Sequence, residues 1–179
     1  MLSIHQAQIC DIPALYNHLK RHDLESGTSG DLIFAPFEEP WSRLEDDLLK
    51  EKKEKWQKHI TEVGWERCWV ASDELGIYGE IKLVQQPPLR TSLHRATVMM
   101  GIERPYRALG LGSQLMKAAL EWAKEQPSLE WLELGVFAHN EPAIRLYEKF
   151  CFQEVGRTVD LFRVHGNKID DIHMTLQLP

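Results

Sequence analysis

The chain has 179 residues, enough for one domain with a sizeable core, and its 43% hydrophobic fraction suits a globular protein. A net charge of −6 argues against a surface built to wrap nucleic acid, and no direct nucleic-acid role is expected. Three isolated cysteines, Cys10, Cys68 and Cys151, have neither zinc nor disulfide spacing, so a reduced cytoplasmic setting follows; neither a basic leader with an apolar run nor about 18 continuous apolar residues predicts a signal peptide or a membrane span.

"MLSIHQAQI" reads as a first strand. Asp11 can cap the helix after it, Pro13 is tolerated in the first turn, and Ile12, Leu15, Tyr16 and Leu19 share one apolar side. Glycines and prolines from Glu25 to Pro40 predict a long irregular connection. A second helix is expected over roughly Trp41 to Ile60, with mixed charges outside and Leu44, Leu48, Trp56 and Ile60 inside. The period then changes: "RCWVAS", "GIYGEIKLV" and "HRATVMMGI" read as strands, with "QQPPLRTS" as a loop before the third. A helix over Ser113–Lys124 follows, then strand "EWLELGVFA", a short helix after Asn140, strand "TVDLFRV", a turn at "HGNK" and strand "DIHMTLQL". This order predicts one mixed α/β domain over residues 1–179, antiparallel at both ends.

The segment "RALGLGS" carries the strongest chemical signal. Gly110 and Gly112 permit a tight turn and close backbone approach, and a helix starting near Leu111 exposes its first N–H groups. Such an end accepts phosphate oxygens, and Arg107 and Arg104 add positive charge nearby. No Walker Gly-Lys-Ser/Thr ending follows, and the third glycine of a dinucleotide fingerprint is missing. On spacing alone, an anion site and an ordinary turn both remain open. Leu115, Met116, Ala119, Leu120 and Ala123 form the buried side of the helix.

The second signal is "ELGVFAHNEPAIRLYEKFCF". Asn140 fits an N-cap and Pro142 the first turn, while Ile144 and Tyr147 share a face with Phe150 one turn on. By composition, Tyr147 is first of all a packed aromatic residue.

Arg107-Ala108-Leu109-Gly110-Leu111-Gly112 resembles the pyrophosphate element of the GNAT superfamily of N-acetyltransferases: Gln or Arg, two residues, Gly, one residue, then Gly or Ala. Asn140, Ala143, Ile144, Leu146, Tyr147 and Phe152 resemble its Asn-x-x-Ala-hydrophobic-x-Leu-Tyr-x-x-x-Gly-Phe segment, with Cys151 in the place of the glycine, where it reads as a small buried filler. The likeness runs from about Trp69 to the C-terminus, and the tail is similar to the ribosomal-protein and small-amine branches. It implies a splayed central strand, acetyl-CoA lying across Met99, Met100, Gly101 and Ile102, and its pyrophosphate over Arg107 to Gly112 and Ser113. Asn140 would support the cofactor arm or cap the helix, and Tyr147 would be the general acid that protonates the coenzyme A thiolate product.

The resemblance also implies a glutamate base where this chain has Gly135. Glu133, two residues earlier on the same face of its strand, is the leading substitute; Glu103 and Glu80 are alternatives, Glu103 being equally suited to balancing Arg104 or Arg107. The implied acceptor is a primary amine of a small metabolite, an amino acid or a protein N-terminus, with a homodimer possible. A non-catalytic acyl-CoA-binding module and a partner-binding α/β domain are the rival readings. The eight histidines are scattered without metal spacing and read as surface or hydrogen-bonded groups. The six tryptophans fit packing positions, with Trp41 beside the irregular connection able to touch a substrate.

Overall fold

The computed structural model describes residues 2–38 and 43–179. The described strands are β1 (Ser3–Gln6), β2 (Glu66–Asp73), β3 (Gly76–Val84), β4 (Arg95–Ile102), β5 (Trp131–Phe137), β6 (Gln153–Val164) and β7 (Asn167–Gln177). They lie in one sheet in the order β1-β2-β3-β4-β5-β7-β6. The helices are α1 (Ile12–Glu25), α2 (Glu45–Gln57), α3 (Leu111–Lys124) and α4 (Glu141–Lys149). Neighbouring strands are antiparallel on both sides of a single parallel junction, between β4 and β5.

One sheet face is covered by α3. Leu111, Leu115, Met116, Ala119, Leu120 and Ala123 are all buried, in one core with Ile81 and Leu83 of β3, Val98 of β4, and Leu132 and Leu134 of β5. Each of the larger aliphatic side chains among them contributes about 1.5–3 kcal/mol by leaving water. Trp122 on the same helix meets Trp65 and Trp69, which are buried. The opposite face is covered by α1 and α2, with Leu15 packed on Cys68, Val70 and Ile77.

Several boundaries differ from the sequence reading. The second helix is shorter at both ends, and Leu44, expected inside, precedes it and is 65% exposed. Trp41 lies outside the described residues. β6 starts five residues before "TVDLFRV", because Gln153–Thr158 already pairs with β7 although its side chains face water. Among the described residues, no helix is long and apolar enough to cross a membrane.

The sheet opens at its parallel junction. Arg95↔Trp131, Ala96↔Leu132 and Thr97↔Glu133 are the register pairs joining β4 to β5. Beyond them β4 stays paired with β3 out to Ile102, while β5 stays paired with β7 out to Phe137. The strands therefore part, and among the described residues the Val98–Ile102 edge of β4 has no strand neighbour on that side. This is the splayed central strand that the family resemblance implies.

Candidate active site

The floor of the site is the turn from β4 into α3. Ala108 and Gly110 both have left-handed backbone (φ 59° and 82°), which reverses the chain and starts the helix at Leu111. Ala108, Leu109 and Gly110 are exposed, so the helix's first N–H groups open to solvent. A Cβ built on Gly110 meets nothing within 4 Å. A Cβ on Gly112 would sit 3.0 Å from Leu146 Cδ2 and 3.3 Å from Ile102 Cδ1, so this glycine serves close packing of α3 on α4 and β4 rather than the solvent side. The two arginines expected to flank the turn are otherwise committed. Arg107 bonds Ile102 O (2.7 Å), Asp31 and Glu25, and Arg104 bonds Asp31 (2.8 Å). These pairs tie the irregular 26–38 segment to the end of β4. Lys149 Nζ, which sequence reasoning did not single out, donates to Ser113 Oγ (3.1 Å) and brings a cation to the first turn of α3.

One wall is α4. Asn140 is its N-cap, its side chain accepting from Ala143 N at 3.3 Å with Pro142 in the first turn. This fixes the helix phase and turns Tyr147 inward, where it is 8% exposed and packs in the main core. Its hydroxyl has no protein partner among the described residues, and burial pushes its pKa up to about 12, so it remains a phenol at neutral pH. Phe152 lies edge-on to it, 6.0 Å between centroids. Cys151 is not the buried filler expected: it is exposed and adopts the left-handed conformation itself (φ 67°), so the turn survives without glycine.

The other wall is the α1 face of the sheet, where the candidate carboxylates lie. His18 on α1 is fully buried between Glu80 and Glu103, touching Glu80 through Nε2 and Glu103 through Nδ1 at 2.8 Å. Arg21 also grips Glu103, through Nη2 at 2.8 Å. Burial alone would lower the pKa of His18, but the Glu80 charge and hydrogen bonds to both carboxylates outweigh it and raise the value to about 9. Burial likewise opposes ionisation of Glu80, yet His18 pulls it down to about 2; His18 and Arg21 hold Glu103 below its ordinary range. Glu103 thus balances His18 and Arg21 rather than Arg104 or Arg107, and His18 is not a surface histidine. Glu133 does share a strand face with Gly135, but Arg95 holds it through Nε (2.9 Å) and Nη2 (2.8 Å).

Two glycines make room on this face. A Cβ on Gly101 would meet Glu80 Oε2 at 2.9 Å and His22 Cε1 at 3.0 Å. A Cβ on Gly135 would meet Asp171 Oδ2 at 2.7 Å, so a carboxylate from β7 fills the space above the expected base position. Burial holds His22 down at about 4, uncharged, with Phe34 against it at 4.7 Å. The exposed Met99 follows the same alternation as Gly101. No group of three or more His, Cys, Asp or Glu side chains among the described residues could hold a metal ion.

An opened parallel junction, a left-handed turn into an exposed helix N-terminus and a capped helix carrying an inward tyrosine agree with the family match: residues 30–152 fit the model described as Acetyltransferase (GNAT) family, and the chain belongs to it. Among curated proteins it is similar to the L-amino acid N-acetyltransferase AaaT of Escherichia coli (strain K12), 27% identical over 120 residues, covering 66% of this chain and 73% of that protein. Among solved structures it is similar to yncA from Salmonella typhimurium, solved with its cofactor acetyl-CoA (TM-score 0.82, 14% identity, covering 100% of this chain and 95% of that one). It is also similar to ribosomal-protein-alanine N-acetyltransferase from Brucella melitensis (TM-score 0.78, 19% identity, covering 99% and 100%). The fold is thus the mixed α/β GNAT fold, with neighbours in the ribosomal-protein branch and, in a phosphinothricin N-acetyltransferase structure, the small-amine branch.

Proposed function

We propose that this protein is an acetyl-CoA-dependent N-acetyltransferase acting on a primary amine. The observation that carries the reading is the parting of β4 from β5, with the exposed turn Ala108–Gly110 leading from the end of β4 into α3. The open β4 edge offers backbone groups to an extended amide-bearing arm, and the α3 turn offers N–H groups to a diphosphate. The residues that would hold acetyl-CoA are Met99–Ile102 through their backbone, Arg107–Ser113 through the turn, and Tyr147; Lys149 adds a cation beside Ser113. Asn140 acts on that site by capping α4.

Acetyl-CoA would supply the thioester, and its acetyl group would pass directly to the amine nitrogen. A backbone N–H on the open edge of β4 would stabilise the negative charge that develops on the carbonyl oxygen. Tyr147, protonated and without a competing hydrogen bond, would give its proton to the departing sulfur. The acceptor is an amino acid, a small metabolite amine or a protein N-terminus; AaaT is named for an L-amino acid and the Brucella structure for an alanine of a ribosomal protein.

The test is a thiol-release assay on a panel of an L-amino acid, spermidine and an N-terminal-alanine peptide, beside a calorimetric titration with acetyl-CoA. Saturable CoA release with one amine class supports the reading. Tight acetyl-CoA binding without release leaves an acyl-CoA-binding module, and absence of both removes the assignment.

A further inference from the structure

Every carboxylate offered by sequence spacing as the base is already in an ion pair. Glu133 is held by Arg95, Glu80 by His18, and Glu103 by His18 and Arg21. To take a proton, each would first give up a cation. Asp171 differs: among the described residues its carboxylate has neither a hydrogen-bond donor nor a salt-bridge partner. It reaches across from β7 and lies over the backbone of Gly135, two residues past the last β4–β5 register pair on β5. It therefore stands just beyond the point where β4 and β5 part, on the same sheet face as Glu133 and Gly135.

Resting on the acetyltransferase reading above, we propose that Asp171 is the proton acceptor for the substrate ammonium, replacing from the neighbouring strand a carboxylate that Gly135 lacks. The same charge selects a cationic amine head as the ligand class. Two protons leave the nitrogen. The first passes from R–NH3+ to Asp171 Oδ2 and then to solvent, leaving a neutral amine. Its lone pair forms the N–C bond to the acetyl carbon as the C–S bond breaks. The thiolate takes the Tyr147 proton, and the second nitrogen proton restores the phenol. Net, one ammonium and one thioester give one amide, one thiol and one proton.

The surroundings suit this role. Burial raises the Asp171 pKa, making it a stronger base than a free aspartate, with only His173 drawing it back. Its register partners, Phe137 on β5 and Thr158 on β6, carry no charge. The neighbouring Asp170 is engaged with Asp160 N at 2.9 Å, and Glu133 further along β5 is neutralised by Arg95. From the 26–38 segment, Ile33 O accepts from His139 Nε2 at 2.7 Å, and Asp31 is tied to Arg104 and Arg107.

The experiment compares wild type, Asp171→Asn and the double variant Gly135→Glu/Asp171→Ala, with whichever panel amine the wild type acetylates. Asp171→Asn should bind acetyl-CoA as wild type does by calorimetry, yet lose about 100–10000-fold in kcat/KM near neutral pH. The loss should shrink as pH approaches the amine's own pKa, where free amine needs no base. The double variant returns a carboxylate to the same space and should regain part of the rate and the acidic limb of the pH profile. A folded Asp171→Asn enzyme with wild-type kcat/KM and pH profile overturns the proposal. So does a change confined to KM, which would leave Asp171 an amine-binding group only. A wild type that acetylates no amine defeats the underlying reading instead, before any variant is made.

Discussion

Tyr147 is the residue whose environment most narrows its chemistry. Replacing it by Phe keeps the ring packed on Phe152 and removes only the donor. Turnover should fall about 100–10000-fold while acetyl-CoA affinity is kept, as measured by single-turnover kinetics beside calorimetry. Because the phenol titrates near 12, the wild-type profile should show no descending limb at the ordinary tyrosine value of about 10. His18 makes a different, purely energetic prediction. Its folded pKa is raised from 6.5 to about 9, so its stabilisation is complete below 6.5 and is lost as pH rises through 9. Glu80 is lowered from 4.5 to about 2, so its share is complete above 4.5 and is lost as pH falls through 2. Stability from this pair should therefore be greatest between pH 4.5 and 6.5. His18→Gln breaks a buried ion pair and should cost about 3–5 kcal/mol in urea unfolding within that window. The gap from wild type should narrow above pH 9; a constant gap would show that His18 contributes only packing.

At the scale of elements, the α4 segment and its turn carry two opposing substitutions. Cys151 holds a left-handed conformation that costs a side-chain-bearing residue about 1–2 kcal/mol. Cys151→Gly should release about 1 kcal/mol and raise the melting temperature by roughly 2–4 °C in calorimetry. On α3, Gly112→Ala places a methyl 3.0 Å from Leu146 Cδ2 and 3.3 Å from Ile102 Cδ1, so these side chains must give by a few tenths of an ångström. Its melting temperature should fall, and acetyl-CoA should bind more weakly because the added methyl crowds the first turn of α3 against Leu146 and Ile102. An unchanged affinity in a folded Gly112→Ala protein would separate the α3–α4 packing from the cofactor site. The elements themselves were largely visible in the sequence. Alternating apolar residues marked β3 and β4, and the 3.6-residue period of Leu115, Met116, Ala119 and Ala123 marked α3 with its buried face. The β6 start escaped because Gln153–Thr158 buries no side chain, and an exposed edge strand has no hydrophobic pattern to read.

Over the whole molecule, the irregular 26–38 segment is fastened between the two halves of the sheet. Arg104 and Arg107 hold Asp31 and Glu25 at the end of β4, while Ile33 packs with Phe137, Val164 and Ile169 at the far side. On the proposed reading the segment would wall the acceptor side of the cleft, and acetyl-CoA would enter from the α3 side. Binding of acetyl-CoA at about 100 times its Kd should stabilise the fold by about 2.7 kcal/mol. That corresponds to a melting shift of roughly 5–10 °C. Differential scanning fluorimetry reads it directly, and no shift at saturating acetyl-CoA would count against the α3 turn as a diphosphate site.

What the sequence by itself determined was local: strand and helix periods, the Gly110 turn, the Asn140 cap and the phase that turns Tyr147 inward. These follow from residues within a few positions of one another, where backbone geometry and hydrophobic spacing act directly. What tertiary structure decided was the state of each charge. His18 reads in the sequence as a surface or hydrogen-bonded histidine, and only folding decides between the two by bringing it, across 62 and 85 positions, against Glu80 and Glu103. Glu133 read as a base until β4 laid Arg95 beside it, and Asp171 carried no signal until β7 paired with β5 over a glycine. Ionisation depends on burial and on partners within a few ångströms, and those partners come from strands and helices far apart in the chain.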